Sequence, residues 1–239
     1  MNLERFDSEF SKLFDLLKNE GFPKNNDRTE LDLYGRFASF HSELLIINAR
    51  LSEEIEFSHL ENEYFRDYAM GKVKLYRSRL RKGLENHIKL MIDLSDFFFY
   101  TRRFLDTLTM VIRFQFKTIG KTKYQMTDRF RDLLNKAKLE KYKQEIDYDF
   151  FDGLEKKIAW AKDFRDCRDG LMHQGYYFVF TTTRKEKLGF DIMNKTKTSW
   201  GKNAVKDISE ELQKTIDNLS DLLEFISANL PQDITSPAP

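Results

Sequence analysis

Proline is nearly absent from the chain. Residues 24–230 contain none, and the four prolines of the sequence are Pro23, Pro231, Pro237 and Pro239. Glycine is scarce as well, with 10 in 239 residues. Both residues are disfavoured inside helices, and both are typical of the turns that a strand-rich protein needs. Their scarcity therefore favours a helical protein over a strand-rich one.

Cysteine and long apolar runs are also missing. Cys167 is the single cysteine, so an internal disulfide is excluded and a reducing compartment is indicated. The N-terminal residues Met1–Asp7 include the charged Glu4, Arg5 and Asp7, where a signal peptide needs an apolar stretch. The apolar cluster Phe97–Tyr100 is far too short to span a bilayer. The sequence therefore predicts a soluble cytoplasmic protein with no membrane partner.

The near-neutral net charge of +1 hides a strong segregation of charge along the chain. Residues 1–71 carry a net charge of −7, and residues 144–239 carry −4. The segment from Lys72 to Lys143 holds 19 basic and 7 acidic residues, a net charge of +12. This basic segment is a candidate phosphate-binding and nucleic-acid-binding surface. The alternative is that its cations lie on solvated helix faces and pair with acidic neighbours.

Apolar residues recur every three or four positions along most of the chain, which is the spacing of one helix face. One such stripe, from Val73 through Tyr76, Leu80 and Leu84 to His87, is expected to face the core. The period changes at residues 176–192, where aromatic and β-branched residues predict a β-hairpin. The predicted helices cover residues 3–19, 29–62, 66–92, 94–118 beginning at Ser95, a short helix capped by Thr127, 148–172, and a last helix capped by Asp207 or Ser209.

These patterns predict an all-α fold, an antiparallel helical bundle with long helices and a small β-hairpin insertion before the last helix. One domain is expected over residues 1–230, with the N-terminal helix at 3–19. The tail 231–239 is rich in Pro, Ser and Thr, which predicts disorder.

Several functional motifs are absent from the sequence. We find no Gly-rich phosphate loop, no Cys/His metal cluster and no nucleophile elbow. A di-iron bundle needs two Glu-x-x-His motifs, and only Glu56–His59 supplies one. The sequence therefore predicts neither a metal site nor a cofactor.

One segment concentrates residues that can carry chemistry. Arg168-Asp169-Gly170-Leu171-Met172-His173 has an arginine, a polar follower and a histidine after four intervening residues. This motif, late in a chain of long helices, resembles the HEPN superfamily (higher eukaryotes and prokaryotes nucleotide-binding domains). The resemblance covers about residues 30–230 as architecture, and the hairpin is a departure from it. It implies a helical bundle that is usually dimeric and carries an Arg-x4–6-His motif.

Two other stretches also fit the Arg-x4–6-His pattern, one with four and one with five intervening residues. The copy from Arg36 to His41 has a phenylalanine after the arginine and lies early in the chain, against the family pattern. The copy from Arg81 to His87 places its histidine on the apolar stripe, so we expect a core histidine there. Only the Arg168 copy combines the polar follower with the late position.

The chemistry of the motif can be argued from its residue types. Histidine gives or takes a proton near neutral pH, and the arginine fork matches phosphate oxygens. Five positions on a straight helix separate Arg168 and His173 by about 140° and about 7.5 Å of rise. The resemblance implies that two protomers bring two such pairs together. Asp169 could orient His173 or pair with Arg165, and Arg165 could contact phosphate or pair with a neighbouring aspartate.

The first hypothesis is a HEPN-like, metal-independent endoribonuclease, a toxin or phage-defence effector that acts on RNA as a homodimer. The resemblance implies restraint by an antitoxin, for example of the nucleotidyltransferase type. The alternatives are a non-catalytic helical module that binds RNA, nucleotide or a partner protein, and a purely structural helical protein.

Overall fold

The computed structural model describes residues 2–19, 28–74, 76–118, 129–165, 169, 177–182, 188–193 and 206–231. Helices account for most of these residues, and the predicted all-α bundle with long helices is confirmed. Residues 161–165 are helical too. The elements in chain order are α1 (Glu4–Asn19), α2 (Arg28–Ala69), α3 (Arg77–Thr118), α4 (Phe130–Leu133), α5 (Lys136–Glu145), α6 (Tyr148–Ile158), β1 (Tyr177–Thr182), β2 (Leu188–Met193), β3 (Lys206–Asp207) and α7 (Ile208–Asn229).

The chain divides into two compact units, each built from several stretches of sequence. Unit 1 contains residues 44–99 and 166–214, and unit 2 contains residues 2–43, 100–165 and 215–239. The helices α2 and α3, of 42 residues each, therefore contribute one part to each unit. The expectation of one domain over residues 1–230 stays a prediction.

A glycine and a tyrosine close the turn between α2 and α3. Gly71 has a φ of 72°, a left-handed conformation that glycine adopts without steric cost. Its N–H donates to the carbonyl of Tyr68 at 2.9 Å, as expected of a residue that ends a helix. The Tyr64 hydroxyl donates to the carbonyl of Lys74 and accepts the N–H of Tyr76 at 3.3 Å. Helix α2 therefore ends at Ala69 and α3 begins at Arg77, so the break between them lies within the helix predicted over 66–92.

Helix α3 has no break at the predicted boundary near residue 93. The Ser95 hydroxyl donates to the carbonyl of Met91 at 2.8 Å, inside the helix, so the prediction that Ser95 begins a helix was wrong. Serine can bond a carbonyl four residues back as well as cap a helix start. Without proline or glycine nearby to force an end, the sequence signal for a cap was ambiguous.

Short polar side chains inside the helices repeat this bond to their own backbone. The Thr109 hydroxyl donates to Leu105 at 2.9 Å, and the Ser220 hydroxyl donates to Ile216 at 2.8 Å. Both side chains are buried. Further examples are Ser42 to Ala38, Asn48 to Leu44, Ser52 to Asn48, Ser58 to Glu54 and Thr107 to Arg103.

Aromatic rings form much of the core of unit 2. The Phe104 ring on α3 lies 5.1 Å from the Phe37 ring on α2, and 5.7 Å and 6.3 Å from the rings of Phe6 and Phe10 on α1. The apolar face of α1 continues to Leu13 and Leu17, which are buried. The predicted stripe of α1 is thus part of a closed core.

Side-chain caps begin two of the three short helices α4, α5 and α6 of unit 2. The Asn135 side chain accepts the N–H of Lys138 at 3.2 Å and begins α5. The Asp147 side chain accepts the N–H of Phe150 at 3.0 Å and begins α6. The sequence predicts a single short helix capped by Thr127, which lies outside the described residues.

The strands belong to unit 1 and form an antiparallel sheet in the order β1-β2-β3. Tyr177 is opposite Met193 and Thr182 is opposite Leu188. Strand β3 pairs with β2, with Gly189 opposite Asp207. The hairpin predicted at 176–192 has two strands, so the short strand β3 is an addition to it.

The last helix agrees with its predicted pattern. The Asp207 side chain accepts the N–H of Glu210 at 3.0 Å, so Asp207, one of the two predicted caps, begins α7. Its apolar residues recur every three or four positions, as predicted along most of the chain, and are buried throughout; they are Ile208, Leu212, Ile216, Leu219, Leu223, Ile226 and Leu230. Residues 232–239, where the sequence predicts a disordered tail, lie outside the described residues.

Candidate functional site

The two residues of the predicted catalytic pair lie outside the described residues. Arg168 and His173 are both in this position, so their role stays a prediction. The supporting residues Arg165 and Asp169 are described, and both are helical and partly buried. Arg165 belongs to unit 2 and Asp169 to unit 1.

The Arg36 copy of the motif ends in a buried histidine. The imidazole of His41 stacks on the Phe10 ring at 3.7 Å with an interplanar angle of 6°, and the Phe6 ring lies 5.2 Å away. The Nε2 atom of His41 is 3.3 Å from the carboxylate of Asp7, which gives the imidazole one charged neighbour. Burial lowers the pKa of His41 to about 4, although Asp7 acts in the opposite direction. His41 is therefore a neutral core residue near pH 7.

The Arg81 copy behaves in the opposite way. His87 is exposed, so the prediction of a core histidine was wrong. The Arg81 side chain is 82% exposed and bonds Glu85 at 2.9 Å. Periodicity identified an apolar stripe correctly here, but it could not tell whether anything covers that stripe. In the structure, burial on α3 begins only at Leu90.

The basic segment predicted from the sequence contains one well-exposed part. Residues 72–89 hold seven cations and a single acid, Glu85. Six of the cations are exposed: Lys72, Lys74, Arg77, Arg81, Lys82 and Lys89. The seventh, Arg79, bonds Glu61 at 2.9 Å and lies 4.8 Å above the Tyr64 ring. We call the six exposed cations the basic surface of unit 1.

The end of the predicted basic segment has a different character. Lys143 in unit 2 is buried, and its Nζ is 2.7 Å from Glu155, 3.0 Å from Asp152 and 3.2 Å from Glu140. Hydrogen bonds to Glu155 and Asp152 hold the pKa of Lys143 above its usual value. Lys143 therefore ties α5 to α6, and we exclude it from the candidate nucleic-acid surface.

A groove in unit 1 brings two carboxyl groups together between α2 and α3. It has a volume of about 530 Å³, and Arg50, Glu54, Asn86, Lys89 and Asp93 are among its lining residues. The Arg50 guanidinium donates to Asp93 at 2.6 Å. The Asn86 amide donates to the backbone carbonyl of Glu54 at 3.2 Å. These bonds hold the two helix segments together around the carboxyl pair.

Glu54 is the group in this groove that titrates near neutral pH. Burial, the charge of Asp93 and a hydrogen bond to Asp93 together raise the pKa of Glu54 to about 7, against the lowering effect of Arg50 and Lys89. Its Oε2 is buried and finds no hydrogen-bond partner among the described residues. Glu54 can therefore hold or release a proton at physiological pH.

Sequence reasoning missed this carboxyl pair. Glu54 follows Arg50 by four positions, which the sequence shows, but Asp93 comes from the next helix. The pairing depends on the length of α2 and on the turn at Gly71, and no local motif records it. Within the described residues, no group of three or more His, Cys, Asp or Glu could hold a metal ion.

Comparison with known proteins adds no relative: no family model, no curated protein and no solved structure matches the chain. In the part of the chain that the structure describes, no helix is long and apolar enough to cross a membrane.

Proposed function

We propose that the protein is a HEPN-like, metal-independent endoribonuclease that acts as a homodimer. The observation that carries the proposal is the basic surface of unit 1, in which six exposed cations lie within 18 residues. Such a surface attracts the phosphates of RNA whatever the base sequence. The motif from Arg168 to His173 supplies residues of the types that RNA cleavage needs.

In the proposed reaction, the 2′-hydroxyl of a ribose attacks the adjacent phosphate. His173 takes the proton of that hydroxyl, and a second His173 from the other protomer protonates the departing 5′-oxygen. Arg168 neutralises the phosphate as it becomes crowded. Asp169 and Arg165 support the pair, Asp169 by orienting it and Arg165 by an added phosphate contact.

The proposed setting is the cytoplasm, where the enzyme serves as a toxin or phage-defence effector. Cleavage of cellular RNA harms the cell itself, so a partner must restrain it. An antitoxin, for example of the nucleotidyltransferase type, is the partner that the family resemblance implies.

The test is cleavage of total cellular RNA by the purified full-length chain in the presence of a chelator. We expect Arg168→Ala and His173→Ala each to reduce cleavage by about 100-fold or more. His87→Ala is the matched control, because it removes an exposed histidine with a similar arginine spacing. Equal cleavage by all four proteins, or none by the wild type, would contradict the proposal.

A second function is favoured by the separate position of the basic surface in the sequence. A non-catalytic module that binds RNA would need that surface and not His173. This alternative predicts RNA binding that weakens as salt is added. The binding should be unchanged in His173→Ala and weaker in the double variant Arg77→Glu with Lys82→Glu. RNA binding without cleavage in the wild type would select this alternative.

A further inference from the structure

A row of large apolar side chains lies exposed on unit 1. Leu80, Leu84, Ile88 and Ile92 follow one another every four residues along α3, and their exposed fractions are 46%, 62%, 49% and 54%. Tyr76, directly before the helix, extends the row and is 60% exposed. We call these five residues the apolar ridge.

The size of the ridge is unusual for a surface that faces only water. The five exposed fractions correspond to roughly 500 Å² of apolar area, near the upper end of what monomers expose, about 300–600 Å². A stable interface needs about 800 Å² from each partner. The ridge alone supplies somewhat more than half of that area.

We propose that the apolar ridge is the surface on which a second copy of this chain docks, with the two α3 segments antiparallel. The proposal rests on the homodimer of the proposed function and names its interface. Residues spaced by four form one of the ridges by which helices pack into each other's grooves. A two-fold axis at the midpoint of the row, near Asn86, places Leu80 of one copy against Ile92 of the other, and Leu84 against Ile88.

The charges along α3 fit this antiparallel arrangement. Residues 77–82 carry four cations and no acid, whereas the partly exposed Asp96 lies near the other end of the row. Asp93 is buried and bonded to Arg50, so it takes no part in this contact. The two-fold sets Asp96 of each copy beside the start of the basic stretch of the other. It also sets Glu85 opposite His87. A parallel pair would instead bring the four cations of both copies together, and like charges at an interface are unfavourable.

The first experiment measures the mass of the full-length chain by sedimentation between 1 and about 100 µM, a range in which a standard interface is populated. We expect a dimer, and we expect Leu84→Asp with Ile88→Asp to weaken dimerisation by about 100-fold or more. Ile46→Asp is the matched control, because Ile46 is 52% exposed on α2 and outside the ridge. Helix content measured by circular dichroism confirms that the variants fold.

The second experiment tests the register by cross-linking, in a Cys167→Ser background that removes the only native cysteine. Proteins carrying Leu80→Cys and Ile92→Cys are mixed and treated with a short bis-maleimide. We expect cross-links between the two different proteins. Two copies of Leu80→Cys should not cross-link, because twelve residues along the antiparallel helices separate them by about 18 Å.

Three results would overturn the proposal: a monomer over the whole concentration range, a dimer that the ridge double variant leaves intact, or efficient cross-links between two copies of Leu80→Cys. A dimer that the ridge double variant leaves intact overturns the interface alone, and a dimer that cleaves no RNA overturns the nuclease alone, whereas a monomer contradicts both.

Discussion

His41 in unit 2 and Glu54 in unit 1 are both buried titratable residues, yet they have opposite meanings for the protein. His41 is enclosed by the rings of Phe6 and Phe10, and its pKa is lowered to about 4. Glu54 lines an open groove beside Asp93, and its pKa is raised to about 7. Burial favours the neutral form in both cases. The neutral form has lost its proton in histidine and kept it in glutamic acid.

The contrast between His41 and Glu54 shows that burial alone does not mark a functional residue. His41 stays neutral through the whole physiological range and therefore acts as part of the aromatic core. Glu54 changes charge within that range and faces a space that a ligand or water can enter. The same physical cause thus produces a structural residue in one unit and a proton donor or acceptor in the other.

The largest expected effect comes from the histidine. Because the folded pKa of His41 is depressed, its contribution to stability is complete above pH 6.5 and is lost as the pH falls towards 4. We expect that lowering the pH from 7.5 to 5 costs the wild type about 2 kcal/mol through this residue. In His41→Gln that loss should disappear, as measured by urea unfolding at both pH values. His87→Gln, at an exposed position, should keep it.

The carboxyl group of Glu54 should produce a smaller effect of opposite sign. Because its folded pKa is raised, its contribution is complete below pH 4.5 and is lost as the pH rises through about 7. We expect Glu54→Gln to remove a loss of about 1–2 kcal/mol between pH 5 and 7.5, after allowance for screening by water in the groove. Urea unfolding across the same range measures it, and Glu53→Gln, at the exposed neighbouring position, is the control.

The two pH-dependent terms oppose each other in the wild type over this range. The His41→Gln protein should therefore lose stability as the pH rises from 5 to 7.5, and the Glu54→Gln protein should gain stability over the same range. If the stability of both variants changed with pH in the same direction, the opposite roles given to His41 and Glu54 would be contradicted.

The smallest expected effect tests how tightly the core of unit 2 is packed. A Cβ added at Gly153 on α6 would lie 2.6 Å from the Phe225 ring, so Gly153→Ala should destabilise the protein by about 1–2 kcal/mol. Gly35 on α2 has no neighbour within 4 Å of such a Cβ among the described residues. Gly35→Ala should stabilise by about 0.5–1 kcal/mol, because alanine suits a helix better. Thermal or urea unfolding compares the pair, and a stable Gly153→Ala protein would show that the Phe225 ring moves without cost.

Much of the helical fold could be predicted from spacing alone. The stripe of α7 from Ile208 to Leu230 is buried as the pattern indicates, and Asp207 begins the helix as one of two predicted caps. Boundaries were less predictable where one signal has two meanings. Ser95 can cap a helix or bond its interior, and only the neighbouring turns of the chain decide which.

The site was harder to predict than the fold, because the sequence records which residues are apolar or charged but not what lies opposite them. The stripe through Leu80 and Leu84 is apolar as expected, yet it is exposed. The approach of Glu54 to Asp93 depends on two helices whose register is set at Gly71. Arg168 and His173, the residues with the clearest motif, remain a prediction.

The buried hydroxyls that bond the backbone of their own helix do not constrain which element packs against them. Thr109 and Ser220 are buried, and each finds its acceptor on the backbone four residues back. Neither side chain needs a polar group from a neighbouring element, so neither specifies which element must lie opposite. At these two positions the packing against the neighbouring element depends on side-chain shape, and replacing either residue with alanine leaves no polar group of another element without its partner.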